Sequence, residues 1–408
     1  MKIQFRPSAV ARPRMGRLVV ISHKRHDRLP GGRVAVRGGF AKITSEFSRH
    51  VTLLSLCVPV GDTPETSEVA DYPENITLSP LPIYGGHVGF IQRLPSIMCN
   101  LWREIGKADV VYAMAPNNMG VVGLILARLR RKPVFLSIDT DRAGKARLAG
   151  GFRGLAKAWA VEKTIYTLLR VLGGSRPGFV TGDEFLGARP HWRQWIKTTI
   201  TSSEIPCYRQ PDPGKLLHVV FVGRLSPEKN IGCLIEAAAL LEKESHQISV
   251  QIVGHGPQRG SLEKLKKKLG VRGVTFRGAV PNAELTESRF LGADVLVLPS
   301  KEERQGKVLL EAMACSVPVI AARSGGIPSV IRHEFNGLLF DPDNPSELAS
   351  CIRNVADNAS LRTGLAENGY RFALENTLDK SVTEIMTDVS TFYGFSSEAK
   401  KLDALGNE

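Results

Sequence analysis

Residues 293–321 read ADVLVLPSKEERQGKVLLEAMACSVPVIA. The opening run, DVLVL, is short, aliphatic and β-branched, the pattern of a strand covered on both faces. The closing run, VPVIA, repeats it. Between them, KVLLEAMA has helical spacing and good helix formers. The stretch therefore predicts strand, loop (300–305), helix from Gly306 or Lys307, tight turn and strand. That is one crossover of a parallel sheet, and it places the chain in the α/β class.

The same alternation extends outward in both directions. In the first half strands are predicted at 18–22, 51–56, 109–113, 133–138, 178–181 and 198–201, with helices at 40–47, 119–129 and 155–169. In the second, strands are predicted at 216–222, 248–253, 273–276, 294–298 and 317–321. The turn-rich QPDPG at 210–214, whose prolines forbid regular helix, separates the two halves. A chain of 408 residues is long enough for two domains. The expected organisation is a basic extension (1–17), an N-terminal Rossmann-like domain (18–213), a C-terminal Rossmann-like domain (214–385) and a tail (386–408). The two doubly wound domains are expected to face each other across a cleft.

Composition excludes several classes. No run approaches the roughly 18–20 apolar residues that cross a bilayer, and the basic N-terminus lacks an apolar stretch of signal-peptide length. Six scattered cysteines, with no CxxC, argue against a disulfide framework or structural zinc and for a reducing, cytoplasmic location. The charge is lopsided. Residues 1–214 hold 31 basic and 16 acidic side chains, whereas the remainder holds 23 and 24. The basic half suits an anionic membrane surface, as would a peripheral protein, or is simply a solvated face. Nucleic acid is not expected as a partner, because no zinc-finger, RNP or bZIP pattern accompanies the charge.

Candidate site residues cluster in the second half. Glu303 lies in the 300–305 loop and Glu311 eight positions later, inside the apolar VLLEAMA. A carboxylate there needs a partner or a polar cleft, although a solvated helix face is the alternative. The amides of Gly306, Lys307 and Val308, at the helix start, form a natural anion site. VVFVGRLSPEKN places Gly223, Arg224 and Lys229 just beyond a buried strand, where two cations can clamp a diphosphate or stand solvated. Gly254, in GHG after the next strand, is read as a tight turn lining the same edge. Its glycine spacing does not fit a dinucleotide fingerprint. In the first half Gly38 and Gly39 could admit a ligand to backbone amides or form a plain turn. Asp139 and Asp141, past a strand end, could serve an acceptor hydroxyl or a turn. His23 and His26, in a basic loop, are read as surface residues.

Taken together, FVGRLSPEKN, IVGHGPQRGSL, ADVLVLPS, Glu303-x7-Glu311, LLEAMACSVPVIA, SGGIP and NGLLFDPDNPSELA resemble the retaining GT-B glycosyltransferases of family 4, the "group 1" family. The resemblance runs from about 217 to 372 and is weaker in the first half. It implies a GT-B enzyme whose C-terminal domain holds a nucleotide-diphosphate-sugar donor, with the sugar passing to a glycan or lipid-linked glycan acceptor on the N-terminal side. It implies neither cofactor nor essential metal, and a last helix returning to the first domain. By position, Arg224 and Lys229 match the diphosphate cations, Glu303 the carboxylate beside the sugar and Glu311 the one on the ribose hydroxyls. Arg304 and Gln305 stand where the family usually has a small and an aromatic residue, and Ser329 where a glutamate often follows SGGIP. No N-terminal histidine matches the one many members place near the reacting sugar. A GT-B nucleotide-sugar epimerase and a non-catalytic binding or assembly protein are the alternatives.

Overall fold

The computed structural model describes residues 15–36, 38–62, 69–139, 167, 169–181, 191–211, 217–280 and 289–395. Asp141, most of the predicted helix at 155–169, the first fourteen residues and the tail beyond 395 lie outside them.

Contacts divide the chain into two units, Met1–Ser137 with Leu172–Gly178 and Val382–Glu408, and Ile138–Val171 with Phe179–Ser381. The first is built on β1 (Met15–Ile21), β2 (His26–Arg28), β3 (Val34–Val36), β4 (Val51–Gly61), β5 (Val69–Ala70), β6 (Ile76–Leu81), β7 (Val110–Ala115) and, as far as Ser137, β8 (Val134–Asp139). Their order is β8-β7-β1-β4-β2-β3-β5, with β6 also on β4. β1 lies parallel to both β4 and β7, so its residues Leu18–Ile21 are fully buried. Helices α1 (Phe40–Ser48), α2 (Gly86–Lys107) and α3 (Asn118–Leu129) connect the parallel strands.

Three features of this unit depart from the sequence reading. The sheet is not purely parallel, because β3 runs antiparallel to β2 and β5. The reversal is made at Pro30–Gly32, where Gly31 and Gly32 take φ of 77° and 78°, open to glycine without strain. The sequence reading places no helix at 86–107, where α2 carries Pro95 in its interior. His26 is no surface residue, since it is fully buried on β2. Its Nε2 lies 2.7 Å from the Tyr72 hydroxyl, its Nδ1 2.9 Å from the Lys24 carbonyl, and its ring edge-on to Phe40. Burial is the main force on its titration and lowers its pKa below 6.5, against the Lys24 contact and the Asp27 charge.

A lowered histidine pKa means the unfolded chain binds the proton more readily. The stabilisation is therefore complete above 6.5 and drains away as pH falls through the lowered folded value. The thermal midpoint of the wild type should fall more steeply between about pH 7 and 5 than that of His26→Gln. Parallel curves would exclude His26 as the cause.

The second unit carries β9 (Gly178–Thr181) in its Phe179–Thr181 portion, and β10 (Trp192–Gln194). Its main sheet comprises β11 (Leu217–Val222), β12 (Ile248–Val253), β13 (Val274–Arg277), β14 (Val295–Leu298), β15 (Val319–Ala322) and β16 (Leu338–Phe340). They run parallel in the order β13-β12-β11-β14-β15-β16. The helices are α4 (Ile231–Lys243), α5 (Arg259–Leu269), α6 (Lys307–Ala314), α7 (Pro345–Asp357), α8 (Ala359–Glu375) and α9 (Leu378–Tyr393). Residues 198–201 are not a strand. Thr201 instead opens a 3-10 turn through a capping box with Glu204.

The sequence reading places the domain boundary at 213–214, whereas segment 192–211 packs within the second unit. The Arg209 amide donates to Ser316 Oγ (3.1 Å), Tyr370 donates to the Pro206 carbonyl (2.9 Å), and the Ser202 hydroxyl donates to Asp379 (2.7 Å). Helix α9 begins in this unit, and from Val382 its residues belong to the first. There the Tyr393 hydroxyl donates to the Val134 carbonyl at 2.7 Å and accepts from its amide at 3.1 Å. Among the described residues no helix is long and apolar enough to cross a membrane.

Candidate functional site

In a parallel sheet the loops that follow the strands gather at one edge. β11 lies between β12 and β14, so the segments after Val222, Val253 and Leu298 become neighbours there. The Gly223 amide donates to the Val253 carbonyl (3.0 Å). A Cβ on Gly254, whose φ is +142°, would lie 1.9 Å from the Gly223 oxygen. One on Gly256 would lie 2.2 Å from the Leu225 oxygen. The GHG turn is thus glycine because two backbones nearly touch there.

The 223–230 loop exposes Arg224 and buries Leu225, whose amide donates to the His255 carbonyl (2.8 Å). Lys229 ends a single 3-10 turn, Pro227–Lys229. Asn230 then takes a left-handed conformation, and its side chain donates to the Pro342 carbonyl (2.7 Å). Burial pushes the Glu228 carboxyl upward. The Ser226 hydroxyl, donating at 2.6 Å, together with its own amide, Arg224 and Lys229, outweighs that and lowers it.

The loop after β14 is tied to this one. The Lys301 amide donates to the Glu228 carbonyl (2.9 Å), and Lys229 forms an ion pair with Glu303. Both side chains are mostly sheltered, so this pair is less screened than a surface one. The Glu303 carbonyl accepts from the Gly326 amide (3.0 Å), and Ser324 donates to the Ser300 carbonyl (2.6 Å). Gly306 then turns left-handed (φ 64°) and starts α6 without a side-chain cap or an acidic residue in the first turn. The Lys307 and Val308 amides lie in the first turn of that helix, where backbone N–H groups carry a partial positive charge. Eight residues make too short a helix to stand alone. It is held by buried Leu309, Leu310, Ala312 and Met313, each leucine contributing about 1.5–3 kcal/mol. Glu311 is half-buried among them.

The structure thus places Gly223, Arg224, Lys229, Gly254, Glu303 and Gly306 in the loops at the strand-end edge of one sheet, and Lys307, Val308 and Glu311 on helix α6 that follows. Gly38 and Gly39 lie in the first unit, both left-handed, with Gly39 ending the turn that opens α1. Asp139 is the last residue of β8.

Sequence reasoning missed what Gln305 does. It is 4% exposed, and its side-chain oxygen accepts from the Lys197 amide (3.0 Å) while its nitrogen donates to the Trp195 carbonyl (2.9 Å). The amide thus closes onto the 195–197 backbone as a neighbouring strand would. Its distance in sequence from that backbone left no local signal. Gln305→Leu should cost about 1–3 kcal/mol, because both buried backbone groups lose this bond. Chemical denaturation measures the loss, and an unchanged midpoint would contradict the role. Ser329 donates to the Gly326 carbonyl (2.6 Å), closing the SGGIP turn on itself.

Residues 209–372 match the family described as Glycosyl transferases group 1. Among curated proteins, the chain is 38% identical over 167 residues to an uncharacterized glycosyltransferase, MJ1607, of Methanocaldococcus jannaschii, covering 41% of this chain and 40% of that one. It is 28% identical over 267 residues to the sulfoquinovosyl transferase SQD2 of Arabidopsis thaliana, covering 61% and 49%. It is 34% identical over 151 residues to the alpha-D-kanosaminyltransferase of Streptomyces kanamyceticus, covering 37% and 39%. The chain thus matches less than half the length of each relative. Among solved structures, the sucrose-phosphate synthase of Thermosynechococcus elongatus superimposes with a TM-score of 0.68 at 18% identity, covering 95% and 100%. The HepE protein of Anabaena, in complex with UDP-glucose, gives 0.61 at 18%, covering 93% and 99%. At such identities the likeness is one of fold.

Proposed function

We propose that this chain, whose residues 209–372 are of the group 1 glycosyltransferase family and whose fold is GT-B, binds a nucleoside-diphosphate sugar at the β11–β14 edge and transfers the sugar to a hydroxyl. The acceptor is a glycan or lipid-linked glycan of a surface polysaccharide or glycolipid, and the anomeric configuration is retained. The observation that carries the reading is the joining of Lys229 to Glu303 beside the uncapped start of α6, with Arg224 on the same loop as Lys229. That set supplies cations and amides for a diphosphate and a carboxylate for a sugar. It is supported by the names of the relatives, which are glycosyltransferases, and by the UDP-glucose bound in HepE.

Cleavage of the glycosyl–phosphate bond leaves its electron pair on the diphosphate. Arg224, Lys229 and the α6 amides stabilise that charge, which is why no divalent ion forms part of the proposal. Glu303 steadies the positive charge developing at the anomeric carbon. The leaving phosphate, on the same face, takes the proton of the attacking hydroxyl.

Calorimetry and turnover measured across UDP-, GDP- and ADP-sugars test this, each with chelator and with magnesium. Binding of one donor and transfer insensitive to chelator are expected. Absence of heat with every donor overturns the reading. Isomerisation of the donor without acceptor points to an epimerase instead.

A further inference from the structure

Helix α2 carries apolar residues on two stripes. One, Phe90, Ile97, Leu101 and Ile105, is buried in the first unit. The other, Val88, Ile91, Pro95, Met98 and Trp102, steps by three and four residues and so lines one side of the helix. It is open to solvent, Val88 being 71% and Ile91 66% exposed. Folding of the unit accounts for the first stripe and leaves the second unpaired. A row of this kind, unlike scattered exposed residues, marks a contact surface.

Its surroundings indicate the partner. Arg93, Arg103 and Lys107 are exposed on α2, and Glu104, paired with Lys107, is the helix's one acidic residue. Helix α3 packs against α2 and exposes Ile125 and Leu129. It runs into Arg128, Arg130 and Arg131 with no acid between 118 and 132. The Arg130 guanidinium stacks 4.1 Å over the Trp102 ring and joins the two helix surfaces. An apolar stripe with an indole at one end and a cationic rim fits the boundary between lipid headgroups and acyl chains. A protein partner would need acidic groups matched one by one to these cations, whereas an anionic bilayer supplies them everywhere.

We propose that the exposed face of α2, with the end of α3, seats the chain on an anionic bilayer. The site needs no donor and no transfer, so its failure and that of the proposed function are separable.

The full chain is mixed with phosphatidylcholine vesicles, with and without phosphatidylglycerol, and floated. Flotation is expected with phosphatidylglycerol and should fall about tenfold or more at high salt. Ile91→Ser with Trp102→Ser should lower it by about tenfold or more, as should Arg93→Glu with Arg103→Glu, at an unchanged thermal midpoint. Brominated lipid should quench the wild-type fluorescence, and Trp102→Phe should remove most of that quenching. Three results overturn the proposal: no flotation of the wild type, equal flotation of wild type and both double variants, or dimerisation that the Ile91→Ser, Trp102→Ser pair abolishes without any vesicle dependence.

Discussion

Glu303→Ala is expected to slow transfer severely while leaving a folded chain that still binds a bare nucleoside diphosphate. In the free protein Lys229 is engaged by Glu303. Removing the carboxylate frees that ammonium for phosphate, so the affinity for the diphosphate alone should hold or rise. The rate should fall by about 10²–10³-fold, the loss typical when one preorganised electrostatic group is taken from a transition state. Arg224→Ala and Lys229→Ala should lose rate to a similar degree but also weaken binding of the bare diphosphate, since each withdraws a cation from it. These opposite binding effects, read by calorimetry beside single-turnover rates, separate the proposed roles. Wild-type rates in both Glu303→Ala and Arg224→Ala would remove the assignment.

Gly325→Ala is expected to be nearly as damaging. Gly325 has φ +50°, and a Cβ would lie 2.0 Å from the Glu303 carbonyl oxygen. That oxygen accepts the Gly326 amide, a bond that holds the glutamate loop against the SGGIP turn. The methyl group forces the two backbones apart by about 1 Å, enough to cost about 10²-fold in rate when a reacting group is misplaced. Strain adds about 1–3 kcal/mol of lost stability. Gly364→Ala, on α8 with nothing within 4 Å of the added carbon, should do the reverse. It relieves a glycine inside a helix and should raise stability by about 0.5–1 kcal/mol without altering the rate. Equal behaviour of the two alanine variants would mean that the close approach at Gly325 is not what holds the loop.

The α/β class, the strands flanking the glutamate loop and the start of α6 were all legible from residue order. Each depends on local rules, such as β-branched runs for buried strands, helical spacing in KVLLEAMA and glycine where the chain turns left-handed. The bringing together of Arg224, Lys229 and Glu303 at one edge was also within reach, because a parallel sheet sends the ends of its strands to the same side.

Pairing and burial were not legible. Lys229 and Glu303 are 74 positions apart, and Gln305 reaches a backbone amide 108 positions away. His26 reads as a surface residue because its neighbours are charged, yet strand pairing and Tyr72 enclose it. Helix α2 shows two apolar stripes in its sequence, but only packing settles which one is covered. Local order determines which conformations a segment prefers. Which side chains lose water, and which partner each one meets, follows from contacts between distant segments, and those exist only once the chain has folded.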